Sequence, residues 1–197
     1  MTERFVQSIQ IRRLGPCDSL DELTSMLHRA FSTLGRMGLS CTSVNQSIET
    51  TARRVRLGEC FVAVRDGCLI ATVTLHKPQR RADCRWYRQP DIGSLHQFAV
   101  DPRFQGTGCG KALILAATRW ARERNYVELA LDTPALASHL IQFYVAQGFR
   151  LVEQVQMPGK LYRSAVLSKT IDDPLTARGP RYCARQARPL FGTMVHL

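Results

Sequence analysis

Apolar and polar positions change period several times along the chain, and each change marks an element. Phe5-Val6-Gln7-Ser8-Ile9-Gln10-Ile11 mixes the two types as a first strand does. Pro16-Cys17-Asp18-Ser19 supplies a turn and an N-cap. Leu23, Met26 or Leu27, Ala30, Phe31 and Leu34 then recur at helical spacing, a stripe that reads as core packing. Gly35 and Gly38 act as breakers and predict a loop over 35–45. A second helix is expected over 46–57, with Arg53, Arg54 and Arg56 giving it a basic side and Gly58 stopping it. Residues 60–64 and 68–75 are apolar strands, and Asp66-Gly67 between them is a hairpin dipeptide.

Pro78, Pro90 and a run of arginines predict a surface excursion over 77–93, followed by a short strand over 95–100 that Asp101-Pro102 ends. A glycine-rich turn then opens a helix reaching to about Asn125, with Leu113, Ile114, Ala117, Trp120 and Ala121 on its apolar side. A strand over 127–131 and a helix over 135–147 follow, the helix closed by Gly148. Strands over 149–155 and 161–168, with Pro158-Gly159 between them, complete the pattern. Strands that pair locally plus one strand-helix-strand crossover predict an α/β (α+β) fold, with a mixed sheet and helices on both faces. The periodicity stops near Pro174, so residues 1–173 read as one domain and 174–197 as a basic tail.

Composition narrows the class without changing this layout. At 197 residues and 45% hydrophobic content the chain supports one well-buried core. No apolar run approaches the roughly 20 residues of a membrane span. Met1-Thr2-Glu3-Arg4-Phe5-Val6 lacks the plan of a secretory signal, so a cytoplasmic location and no membrane partner are expected. The seven cysteines form no CxxC and match no zinc spacing, which suits a reducing compartment and predicts no metal. The formal charge of +11, with Arg178, Arg181, Arg185 and Arg188 in the tail, favours an anionic partner such as nucleic acid, anionic lipid or a polyphosphate cofactor. No aromatic-basic interleaving favours nucleic acid among these.

The chemistry concentrates in Gln97-Phe98-Ala99-Val100-Asp101-Pro102-Arg103-Phe104-Gln105-Gly106-Thr107-Gly108-Cys109-Gly110-Lys111. A strand leading through glycines into a helix points backbone N–H groups and a helix N-terminus into one concavity, a site suited to pyrophosphate. A Walker loop is disfavoured: Gly110-Lys111 is followed by Ala112 instead of a hydroxyl, and its first glycine would fall at Gln105. A dinucleotide fold would want the glycines after a first strand, and here they lie mid-chain.

The wider pattern resembles the GNAT acyltransferase superfamily. Its Val-x-Pro and Arg/Gln-x-x-Gly-x-Gly/Ala signature is matched by Val100-Asp101-Pro102 and Gln105-x-x-Gly108-x-Gly110. Its aromatic-Tyr-x-x-x-Gly-Phe run is matched by Phe143-Tyr144-Val145-Ala146-Gln147-Gly148-Phe149. The resemblance covers roughly Ile9 to Ile171 and implies a mostly antiparallel sheet with a splayed central strand pair. It implies acetyl-CoA as cosubstrate and direct attack of a primary amine on the thioester. Phe98 and Val100 would offer backbone groups to pantetheine. Gln105, Gly106, Thr107, Gly108, Cys109, Gly110 and Lys111 would cradle the pyrophosphate. Tyr144 corresponds to the tyrosine that protonates the leaving thiolate. The strand position where relatives carry a glutamate base is occupied here by His96, beside Gln97, with His76, Glu128 and Asp132 as further candidates. Relatives often place an asparagine seven residues before the tyrosine; Ala137 stands there, with Ser138 as a substitute contact and His139 beyond it.

In such proteins the acceptor side is built by the first inter-helix loop and the last hairpin, here 35–45 and 156–162. The first has no acid until Glu49, which favours an acidic or neutral acceptor over a polyamine. Arg85, Trp86, Tyr87 and Arg88 read either as a lid or acceptor contact, or as a solvated loop. Two other readings stand beside the enzyme: a non-catalytic acyl-CoA-sensing domain, and a basic nucleic-acid-binding protein. The resemblance also implies a homodimer, a frequent state in that superfamily.

Overall fold

The computed structural model describes residues 9–171. The strands are β1 (Gln10–Arg13), β2 (Glu59–Arg65), β3 (Cys68–His76), β4 (Ile92–Val100), β5 (Glu128–Pro134), β6 (Arg150–Gln156) and β7 (Arg163–Thr170). The α-helices are α1 (Leu20–Arg36), α2 (Ile48–Arg56), α3 (Cys109–Arg122) and α4 (Ser138–Ala146). The strands form one sheet in the order β1-β2-β3-β4-β5-β7-β6. Every pairing is antiparallel except β4 with β5.

Side-chain alternation divides the core between the two faces. On one face Leu23, Met26 and Leu27 of α1 pack with Cys60, Val62, Leu69 and Ala99. On the other, Leu113, Ile114, Ala117, Trp120 and Ala121 of α3 pack with Ala63, Val73, Leu75, Leu129 and Leu131. Ser19 caps α1 by accepting the Glu22 amide at 3.2 Å. Glu22 Oε1 in turn accepts the Leu69 amide at 2.8 Å, fixing that helix end to β3.

Two features place the site. The β4–β5 ladder is confined to Ile92–Glu128, Gly93–Leu129 and Ser94–Ala130, after which the two strands part. In addition β4 bulges where Gln97 takes φ 47, and its register against β3 shifts between Thr72 and Thr74. Leu95 and Ala99, four residues apart, would share a face in a regular strand. The extra residue sends Leu95 into the α3-side core and Ala99 into the α1-side core.

Several boundaries differ from the sequence expectation. Helix α1 runs through Gly35, which lies so close to the 3₁₀ turn Thr42–Val44 that a Cβ would come within 2.9 Å of Val44. Glycine here permits close approach and does not break the helix. Strand β4 starts at Ile92 and absorbs the end of the expected excursion, because Gly93 leaves room for Trp120 and Tyr126 above it. Arg85–Arg88 forms a 3₁₀ turn in which Tyr87 is buried. The residues before Ile9 in the expected first strand, Cys183, and the expected tail at 174–197 lie outside the described residues.

Candidate active site

Where β4 and β5 part, a cleft of about 590 Å³ opens between them, under the α1–α2 connection and the start of α4. His96, Phe98, Val100, Gln105, Gly106, Gly108, Gly110, Lys111 and Tyr144 all line it, so most of the residues singled out in the sequence share one cavity. Thr107, Cys109 and Ser138 are not on its wall. Cys109 points into the core, 1% exposed, with its thiol 3.0 Å from the Thr107 hydroxyl. The Thr107 hydroxyl also donates to the Phe104 carbonyl at 2.6 Å, tying the turn together. Ser138 faces solvent.

The glycine loop occupies one end. Gly106 (φ 76) and Gly108 (φ 89) sit in the left-handed region, where a Cβ would meet no protein atom within 4 Å. Gly108 is the N-cap of α3, makes no side-chain cap, and is followed by a first turn without acidic residues. The first amides of that helix therefore face open space beside Lys111, an arrangement that fits a pyrophosphate. Gly110 is needed for contact instead: a Cβ there would lie 3.3 Å from both Phe98 and Phe143. Gln105 Nε2 donates to the Val100 carbonyl at 3.3 Å, so its side chain braces the loop.

Asp101 anchors the same loop to α1. Its fully buried carboxylate accepts from the Arg103 amide at 3.0 Å, from Arg103 Nε at 3.0 Å and from Arg29 Nε at 2.9 Å. The hydrogen bonds from Arg103, against a smaller opposing effect of burial, hold its pKa well below the usual carboxylate range.

At the other end stand two polar groupings. His96 Nε2 is 2.8 Å from the Ser94 hydroxyl, and its ring stacks on His76 at 4.2 Å and meets the edge of Tyr87 at 5.4 Å. Burial first, then the neighbouring His76, draw the His96 pKa well below its ordinary value, so the ring is neutral at physiological pH. His76 is 6% exposed and does not reach the cleft wall; its Nδ1 is 2.6 Å from Gln79 Nε2. Asp132 of β5 accepts from the Tyr87 hydroxyl at 2.9 Å, the Ser164 hydroxyl at 3.2 Å and Lys160 Nζ at 3.3 Å. Burial raises its pKa, but the Lys160 charge and the hydrogen bonds from Tyr87 and Lys160 outweigh burial and leave it below the usual carboxylate value. Glu128 is elsewhere, held by Arg150 and Ser168 at 2.5 Å each, and is not on the cleft wall.

Tyr144 leaves α4 against Phe98, Phe143 and Phe149. Burial, then the Asp132 charge, push its phenol well above the ordinary value. Ala137 is fully buried in a cluster with Leu34, Leu39 and Tyr162, which leaves no room for a larger amide at that helix start. The far end of the cleft is lined by Cys41 and Ser43 of the expected 35–45 acceptor loop, by Lys160 and Tyr162 of the expected 156–162 hairpin, and by Arg54 of α2, which sequence reasoning did not single out. The Tyr162 hydroxyl donates to Cys41 Sγ at 3.2 Å, joining two segments far apart in the chain. The one signal available for Arg54 was its position three residues after Thr51, on the buried side of a short helix.

Comparison with known proteins agrees with this geometry. The Acetyltransferase (GNAT) family matches residues 26–149. S-(2-succino)cysteine N-acetyltransferase of Bacillus subtilis is 25% identical over 138 residues, 66% of this chain and 77% of that protein. A mycothiol acetyltransferase of Acidothermus cellulolyticus is 27% identical over 152 residues, 72% of this chain, and the chain spans only 45% of its length. A GNAT family acetyltransferase from Elizabethkingia anophelis with acetyl-CoA bound shares the fold, with a TM-score of 0.59 at 16% identity over 82% of this chain and 97% of that one. A splayed sheet, a glycine loop at a helix start and a match over more than half of the chain converge: the protein belongs to the GNAT family of acetyl-CoA-dependent N-acetyltransferases.

Proposed function

We propose that the chain acetylates a primary amine by direct attack on acetyl-CoA, with both substrates in the cleft between β4 and β5. The observation that carries this is the presence on one cavity wall of a histidine held neutral and a tyrosine held protonated, with the phosphate cradle beyond them. The lowered value keeps the imidazole unprotonated, able to accept a proton, and the raised value keeps the phenol protonated, able to give one, while each shift also weakens the group in that role. Bound acetyl-CoA supplies the activated thioester. On its β5 side, β4 has no ladder partner among the described residues beyond Ser94, and backbone groups on that edge would bond the pantetheine arm. Gly106, Gly108 and the first turn of α3, with Lys111, hold the pyrophosphate.

His96 then takes a proton from the attacking amine, directly or through one water, while its Nε2 stays fixed by Ser94. Tyr144 gives its proton to the departing thiolate. A phenol raised above its ordinary value is never ionised at working pH, so it always arrives as the donor. Two aromatic neighbours, Phe98 and Phe143, pack against the ring.

The experiment is acetyl-CoA calorimetry followed by an amine screen, with Tyr144→Phe as the control. Turnover of that variant falls by roughly tenfold or more while acetyl-CoA affinity is retained. A Tyr144→Phe enzyme with full turnover would dismiss the acid role, and absence of acetyl-CoA binding would dismiss the cofactor cradle.

A further inference from the structure

The acceptor end of the cleft holds a cation that no described residue pairs with. Arg54 Nη1 donates to Ser43 Oγ at 3.1 Å and to Gln46 Oε1 at 2.8 Å, both neutral oxygens. Among the described residues Arg54 joins no ion pair. Its Nε and Nη2, the two parallel donors of the guanidinium fork, have no protein acceptor there and are not sealed from the cleft. Burial lowers the pKa of this guanidinium, and Asp132 offsets that only in part.

The rest of the lining sharpens the imbalance. The charged residues on the wall are Arg54, Lys111, Lys160 and Asp132. Lys111 stands at the glycine loop, away from the acceptor. Asp132, the single carboxylate on the wall among the described residues, is already engaged by Lys160, Tyr87 and Ser164. A desolvated cation costs free energy unless an anion meets it. Arg54 is also pre-oriented, because both hydrogens of Nη1 are used and the opposite edge of the fork is left open. A planar carboxylate matches that edge with two parallel hydrogen bonds.

Resting on the acetyltransferase reading, we propose that the acceptor is an amine carrying its own carboxylate, and that Arg54 binds this carboxylate through Nε and Nη2. Arg54 then acts as the specificity residue, with Phe31, Leu34 and Tyr162 flanking the carbon skeleton between carboxylate and amine. The inference separates amino acids and related acids from polyamines, aminoglycosides and neutral amines.

The test measures binding to the CoA-loaded protein by calorimetry. The probes are N-acetyl derivatives of the common L-amino acids, each paired with the N-acetyl amino acid amide of the same side chain. At least one acid binds, and binds roughly ten- to a hundredfold more tightly than its amide, as a charge-assisted bidentate bond is worth. Arg54→Gln abolishes that preference while retaining acetyl-CoA affinity. Arg54→Lys, which keeps the charge and loses the fork, falls between. Binding of no acid, equal binding of acids and amides, tighter binding of N-acetyl phosphoamino acids through their phosphate, or a preference that survives Arg54→Gln would each overturn the proposal. Failure of acetyl-CoA itself to bind would instead sink the acetyltransferase reading, and the acid-amide comparison can still be read on the unloaded protein.

Discussion

Gly108 and Gly67 offer a matched pair of substitutions that isolates the cofactor cradle from backbone strain. Both adopt left-handed φ, 89 and 76, and at both a Cβ would meet no protein atom within 4 Å. Replacing either by alanine therefore imposes the same kind of conformational cost, about 1–2 kcal/mol for an L-residue in that region. For a chain of this size, 1 kcal/mol lowers the melting temperature by roughly 2–4 °C. Both variants should accordingly melt lower by a few degrees. They diverge in ligand binding. Gly67 turns the β2–β3 hairpin, whereas Gly108 caps α3 on the cleft wall. At Gly108 the open space above the backbone is the space a pyrophosphate would occupy. Displacing the phosphate from one charge-assisted N–H bond costs about 1.5–3 kcal/mol, or roughly ten- to a hundredfold in affinity. Calorimetry with acetyl-CoA on the two variants reads this directly. Gly67→Ala should bind like the parent and Gly108→Ala at least tenfold more weakly. Equal loss of melting temperature with unchanged acetyl-CoA affinity in Gly108→Ala would refute the cradle assignment.

Asp101→Asn should destabilise the fold by about 2 kcal/mol in urea melts at pH 7, less than the full cost of breaking a buried pair because Arg29 and Arg103 remain 42% and 69% exposed. Because the folded-state pKa of Asp101 is depressed, its contribution is complete above the unfolded pKa near 4 and is lost as pH falls through the lower folded value, so parent and variant should converge toward pH 2. If His96 is the base, the acid limb of kcat/KM assigned to it should lie well below the ordinary 6.5, and His76→Gln should move it upward by removing the second cause of the depression. An acid limb at 6.5 that His96→Ala leaves in place would end the base assignment.

The chemistry-bearing turn was legible because it is local. Val100-Asp101-Pro102 through Gly110 sets a strand, a turn and a helix start within a few residues, and positive φ demands glycine at 106 and 108. The hairpin at Asp66-Gly67 was legible for the same reason. Gly35 misled because glycine has two uses that a single sequence does not distinguish. It permits close packing against Val44 within the last turn of α1, as Gly93 does against Trp120 and Tyr126 at the start of β4. At the other end of the cleft the two segments 35–45 and 156–162 were named from the sequence, but not the meetings between their residues or the part of Arg54. Cys41 and Tyr162 meet across 121 positions, and Arg54 reaches the cleft only because α2 packs on α1 and β2 in three dimensions. No local spacing encodes such a meeting.

The bulge at Gln97 connects these levels. A sheet gains by pairing every strand edge, and β4 forgoes this on its β5 side after Ser94. It keeps β3 on the other side, but only through a residue at φ 47, a region that costs a non-glycine residue of order 1–3 kcal/mol. What that strain achieves is a change of face. Upstream of the bulge His96 points toward the acceptor end with Ser94, while downstream Phe98 and Val100 turn to the α3 side beside Tyr144. In a regular strand His96, Phe98 and Val100 would project from the same face, and the proposed base and acid could not bracket one cleft from opposite sides of the sheet. The Gln97 side chain supports the distortion from within, its Oε1 accepting the Thr74 hydroxyl at 3.4 Å. The irregular strand is therefore where the fold and the proposed chemistry constrain each other.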